Sequence, residues 1–263
     1  MTNQQAQTMK LAEVVDSAAS SAQAIPQLSH DYPQLNVAQA YQIQTASLEH
    51  RLARGEKLVG IKMGFTSRAK MVQMGVDDLI WGRLTDKMQL VEGGTTSMSR
   101  FIHPRIEPEI AFRLKKNIKG YINLSQAMEA VDGIAPAMEI IDSRYTNFNF
   151  SLPDVIADNS SSSGFVLGQW HSPNVDISNQ AMIMEFNGRA VQIGSSSAIL
   201  GNPYRSLVEA ARLAAESGLC LEAGHTVLAG AATAAHPLAA GDHVCLHTGT
   251  LGKVEITLEA DND

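Results

Sequence analysis

Cysteine is scarce in this chain: Cys220 and Cys245 are the two, and neither sits in a CxxC pair. A disulfide scaffold is thereby excluded, and two isolated cysteines read as small hydrophobes in a reducing compartment. No apolar run approaches the roughly 20 residues of a membrane span. The N-terminal MTNQQAQTMK is polar and lacks the apolar stretch of a signal peptide. The expectation is a cytoplasmic protein with no membrane partner. Basic blocks are missing as well. The formal net charge is −7 with acids spread along the chain, so nucleic acid is not an expected partner. There is no GxSxG, no P-loop and no GxGxxG between a strand and a helix, which takes support from hydrolase triads and nucleotide folds.

What is present is an ordinary globular composition, 44% hydrophobic and 18% charged, in 263 residues. Helical spacing of Val37, Tyr41 and Leu48 predicts a helix over 37–54, and a similar pattern predicts one over 8–24. KLVGIKMGF (57–65) reads as a buried strand. Thr66 or Ser67 then caps a short helix to about Gly75, followed by a loop DDLIWGRL. Strand signals dominate from residue 100: IEPEIAFRL, PAMEIIDS, HTVLAGA, DHVCLH and KVEITLE. MIMEF-NG-RAVQIG predicts a hairpin turning at Asn187-Gly188. Asn202 caps, and Pro203 begins, a helix to Gly218. The fold class is α+β, with an N-terminal helical part (1–75) and a β-rich catalytic part (76–263) acting as a single functional unit.

HPRIEPEIAF (103–112) carries the chemistry. Glu107 and Glu109 lie on one face of a strand whose other face holds Ile106, Pro108 and Ile110. Pro108 cannot donate to a ladder, so an edge or a bulge is expected there. Glu139 repeats the anomaly inside AMEIID. Three such carboxylates suit a hard divalent cation, Mg²⁺ or Mn²⁺, with open positions for water or substrate. The bland alternative for Glu107 and Glu109 is a solvent-facing strand with a cation nearby. Lys62 is a lone charge in an apolar strand, either reaching water or acting as an acid, base or carboxylate partner. Arg144 is expected to pair locally with Asp142, and Asp158-Asn159-Ser160 to form a capped turn. His103 and His236 are isolated histidines beside prolines.

HPRIEPEIAF, AMEIIDSRYTNF, VIADNSSSSGFVLG and LEAGHTVLAGAATAAHPLAAGD together resemble the fumarylacetoacetate hydrolase superfamily, in its hydratase/decarboxylase branch, over about residues 35–258. The resemblance implies a mixed β-sheet/β-roll core behind the helical part. It also implies a Mg²⁺ or Mn²⁺ site at Glu107, Glu109 and Glu139, and Lys62 as an active-site residue. Ser160, Ser161, Asp77 and Thr233 are implied near the substrate, although the loop carrying Thr233 is alanine-rich here. The implied reaction is decarboxylation of 2-oxo-3-hexenedioate in the meta-cleavage breakdown of aromatic compounds. KMGFTSRAKMVQMGV favours it over the alternative, hydration of 2-hydroxypenta-2,4-dienoate. An acylpyruvate-type hydrolase ranks third, and a non-enzymatic binding subunit would be expected to have lost an acid. Implied partners are a small dicarboxylate 2-oxo acid, further copies in a homo-oligomer, and a hydratase that captures the product.

Overall fold

The computed structural model describes residues 2–67, 71–72 and 78–260. Three helices open it: α1 (Asn3–Ser21), α2 (Leu28–Asp31) and α3 (Val37–Ala53). α1 starts in a capping box, with the Thr2 hydroxyl accepting from the Gln5 amide and Gln5 answering on the Thr2 amide. The short α2 lies between the two helices expected from the sequence. Helices α1 and α3 pack on each other, burying Leu11, Val15, Ala40 and Ile43 with Ile156.

The remaining chain builds two main sheets. The larger comprises β1 (Leu58–Gly64), β2 (Ile80–Thr85), β3 (Gln89–Leu90), β5 (Arg105–Leu114), β7 (Val131–Ile141), β8 (Ser162–Leu167), β12 (Thr226–Leu228) and β13 (His236–Pro237). Its order is β2-β1-β12-β5-β7-β8-β3, with β13 also on β5. The smaller comprises β4 (Thr95–Ser97), β9 (Ala181–Phe186), β10 (Arg189–Ser195), β14 (His243–Thr248) and β15 (Gly252–Glu259), in the order β10-β9-β14-β15-β4. A two-stranded pair, β6 (Ile118–Lys119) with β11 (Cys220–Leu221), completes the set. Helices α4 (Leu124–Ala130), α5 (Leu152–Ala157) and α6 (Pro203–Glu216) link the strands. Most pairings are antiparallel. β1 with β12, β3 with β8 and β4 with β15 are parallel. β1, inside the first 75 residues, is therefore a full member of the main sheet.

The outer face of β5 and β7, with Ile106, Ile110, Met138 and Ile140, shares one core with Val244, Leu246 and Val254 of the second sheet and with α6. The inner face carries a smaller core of Leu84, Met88, Ala111, Ala135, Ala137, Phe165 and Leu228. The sheet curls until its far strands meet. Asn159 bonds both ways with the backbone of Arg83, and Ser160 donates to the Trp81 carbonyl. Asn159, Ser160 and Ser161 all have positive φ, a conformation costing about 1–3 kcal/mol per non-glycine residue.

Asn187 and Gly188 both adopt positive φ, as a type I′ turn requires, and Asn202 caps α6 through the Tyr204 amide. Three expectations are corrected. Residues 80–84 of DDLIWGRL are no loop: with Thr85 they form β2, wholly buried and paired antiparallel to β1. Pro108 lies at neither edge nor bulge but in an interior strand. On that side of β5 the chain bows away between β12 and β13, and it returns amides of its own, Ala229 to the Ile110 carbonyl and Ala232 to that of Pro108. No neighbour needs a proton from Pro108. Arg144 pairs with Asp158, not Asp142. Asp142 instead accepts the amides of Ile102 and His103 at 2.8 Å each. The short helix expected after Thr66 falls mostly outside the described residues, of which 71–72 are helical.

Candidate active site

β5 and β7 pair with Glu107 directly opposite Glu139, and opposite residues share a face. Both acids of the ExE pair therefore join Glu139 on the inner face. Each offers a carboxylate oxygen, and the three oxygens lie within 4.8 Å of one another. All three residues are buried. Lys62 reaches them from β1, two strands from β5 and three from β7, and its Nζ stands 3.1 Å from Glu139 Oε2. The Gly230 amide donates to Glu109 Oε2 at 2.6 Å. Gly230 has φ +101°, and the Thr66 side chain occupies the space a Cβ would need. Glycine is required there on both counts.

Burial pushes the Glu109 carboxyl well above its usual range, and the charges of Glu139 and Glu107 add to the effect. Lys62 and the Gly230 amide oppose it. Glu139 is also raised by burial, against the pull of Lys62. Glu109 Oε1 and Glu139 Oε1 have no hydrogen-bond partner among the described residues, although both are buried. Such orphaned oxygens are costly unless something positive sits between them. An oxygen-only donor set of three acids fits Mg²⁺ or Mn²⁺. Lys62 brings one positive charge and a divalent ion two, matching the three carboxylates. Because a raised carboxyl must lose its proton to ligate, Mg²⁺ affinity is expected to strengthen with rising pH, by up to about tenfold per unit for each proton displaced. Calorimetry in buffers of different ionisation enthalpy counts those protons. Pairwise equal heats, with an affinity that does not change with pH, would contradict this.

The other residues singled out in the sequence are placed less uniformly. Ser160 spends its hydroxyl on Trp81. The Ser161 hydroxyl is buried and has no partner among the described residues. Thr233 bonds to the Ala234 carbonyl at 3.3 Å, with its methyl against Gly194 of the second sheet. The loop expected near the site is there, but it reaches Glu109 through the Gly230 backbone. Asp77 lies outside the described residues.

Residues 66–259 match the fumarylacetoacetate (FAA) hydrolase C-terminal family. The chain belongs to the fumarylacetoacetate hydrolase family. It is 54% identical, over 94% of its length and 96% of the relative's, to a 4-oxalocrotonate decarboxylase of a Pseudomonas species. Identity falls to 33% with a 2-keto-4-pentenoate hydratase of Paraburkholderia xenovorans LB400, over 99% and 97%. A solved structure of 4-oxalocrotonate decarboxylase from Pseudomonas putida G7, complexed with magnesium and adipate, superposes with a TM-score of 0.94 at 38% identity, over 98% of both chains. In this member of the family, sequence reasoning missed the Gly230 amide on Glu109 and the Thr66 side chain packed against Gly230. The Gly230 amide left one trace, a lone glycine in an alanine-rich run. Thr66 was read only as a helix cap.

Proposed function

We propose that this chain is a carboxy-lyase, decarboxylating 2-oxo-3-hexenedioate (4-oxalocrotonate) to 2-hydroxypenta-2,4-dienoate with Mg²⁺ or Mn²⁺. The observation that carries the choice of reaction is the contrast in identity: 54% to a decarboxylase against 33% to a hydratase, each over nearly the whole chain. Glu107, Glu109 and Glu139 would hold the ion, whose positive charge stabilises the electron pair released when the carboxyl group departs. The Gly230 amide fixes the rotamer of Glu109. Lys62 Nζ balances the cluster through Glu139 and is placed to hold a proton for the conjugated enolate product. Phe165, Leu228, Ala111 and Ala137 wall the inner face with apolar surface, which keeps water from the acid cluster.

Ultraviolet absorbance with each substrate tests this reading. The expected result is consumption of the hexenedioate with CO₂ release, abolished by EDTA and restored by Mg²⁺ or Mn²⁺. Consumption of the dienoate alone would make the chain a hydratase, and full turnover in EDTA would end the metal proposal. The same reading takes the protein to be a cytoplasmic homo-oligomer that associates with the hydratase consuming its product. Among the described residues no helix is long and apolar enough to cross a membrane.

A further inference from the structure

Exposure along the acid-bearing strand is graded. Glu109 is fully buried, Glu107 is 7% exposed, and Arg105 is half-buried. All three share a face, since β5 is regular from Arg105 to Arg113. Beyond Glu109 that face continues as Ala111 opposite Ala135, both fully buried. The inner face thus closes at its alanine end and opens at Arg105. One two-residue strand repeat, about 6.6 Å, separates Arg105 from Glu107. That is comparable to the span of an extended six-carbon diacid.

Arg105 has no carboxylate partner among the described residues. Its guanidinium lies 4.3 Å from the ring centroid of Phe148. The His103 ring stands 5.2 Å from the same ring, and His103 Nε2 is buried without a hydrogen-bond partner among the described residues. Asp142 fixes this segment by accepting the amides of Ile102 and His103. Phe148 is held in place by an unusual backbone: Asn147 and Phe148 both have positive φ. A cation and an unspent ring nitrogen beside one aromatic ring, at the open end of the acid site, make an anion receptor.

We propose, building on the diacid reading above, that Arg105 and His103 receive the far carboxylate of the substrate while its 2-oxo acid end lies at the three glutamates. This would make Arg105 the residue that distinguishes a diacid from a monoacid. A guanidinium bound to the departing carboxylate stabilises the bound substrate and loses its partner as CO₂ forms. It therefore serves capture and not turnover.

The test compares binding of adipate and of 2-oxopentanoate to the Mg²⁺-loaded protein by calorimetry, alongside steady-state kinetics. For Arg105→Leu we expect adipate binding and KM for the hexenedioate to weaken at least tenfold, with kcat not reduced and 2-oxopentanoate binding unchanged. Arg105→Lys is expected to recover most of the loss, and His103→Asn to show a smaller effect of the same selectivity. Unchanged adipate binding, or equal loss for adipate and 2-oxopentanoate, overturns the proposal. If the unmodified protein binds adipate through Arg105 yet leaves the hexenedioate intact, the reaction assignment fails while the receptor stands. Normal turnover of the hexenedioate by the unmodified protein, with adipate binding unaffected by Arg105→Leu, would mean the reverse.

Discussion

Glu139→Gln is expected to lower turnover at least about a hundredfold while leaving the fold intact, and to flatten the dependence on Mg²⁺. Glu139 takes part in two interactions at once. One oxygen meets Lys62 Nζ at 3.1 Å, and the other is buried with no hydrogen-bond partner among the described residues. Glutamine keeps the shape but removes a charged ligand and leaves the buried Lys62 ammonium beside a neutral group. Stabilisation of charge developing in a transition state is usually the largest single contribution to catalysis. Losing a ligand therefore acts on rate more than on folding. In the metal-free protein two effects oppose each other, because one of three repelling carboxylates is gone while Lys62 has lost its acceptor. The melting temperature in EDTA is expected to move little, and the increase on adding Mg²⁺ is expected to shrink. Turnover within tenfold of the unmodified enzyme at saturating Mg²⁺ would remove Glu139 from the ligand set.

Lys62→Met has the second largest expected effect. Its partner Glu139 is wholly buried, and Lys62 itself nearly so. Breaking a buried pair by removing one partner typically costs about 3–5 kcal/mol. In EDTA the variant is expected to melt earlier. Added Mg²⁺ restores much of that stability by supplying positive charge to the same carboxylates. Turnover is not expected to return, since a positioned proton donor contributes about 10²–10⁴-fold and methionine offers no proton. The separation of the two readouts is the diagnostic point. Metal-rescued stability with activity still about a hundredfold down places Lys62 in the chemistry. An unchanged turnover number would leave it a structural counter-charge.

Much of this site was legible before any coordinates. The alternation of β5 placed Glu107 and Glu109 together, since a strand's two-residue period is local information. Glu139 stood out as an acid in an apolar run, but its place opposite Glu107 depends on hairpin register, which spacing alone leaves open. The hairpin at Asn187-Gly188 and the cap at Asn202 were readable because the turn chemistry is carried by the residues themselves. Long-range partners were not. Arg144 has Asp142 two residues away, yet it pairs with Asp158, because Asp142 is occupied by two amides from the Ile102 turn. DDLIWGRL looked like a link because its two leading acids and Gly82 masked a buried strand, whose identity comes from pairing with β1. Pro108 misled for a related reason. The rule that keeps proline at edges assumes a continuous neighbour, and here the neighbouring strand is split.

The acid trio rides on one antiparallel pair, β5 with β7, whereas the groups that quiet it arrive from far away. Lys62 is 77 residues from Glu139 in the chain, and Gly230 is 121 from Glu109. As the chain folds, the two strands can zip together through Ile106, Ile110, Met138 and Ile140 before either compensating group is in place. In that order of events, electrostatic conflict would be present before the compensating groups arrive. A dissolved divalent ion, needing no loop to close, can reach the nascent cluster first. The cation would thus serve the young chain as an assembly aid before it serves the finished enzyme as an electron sink.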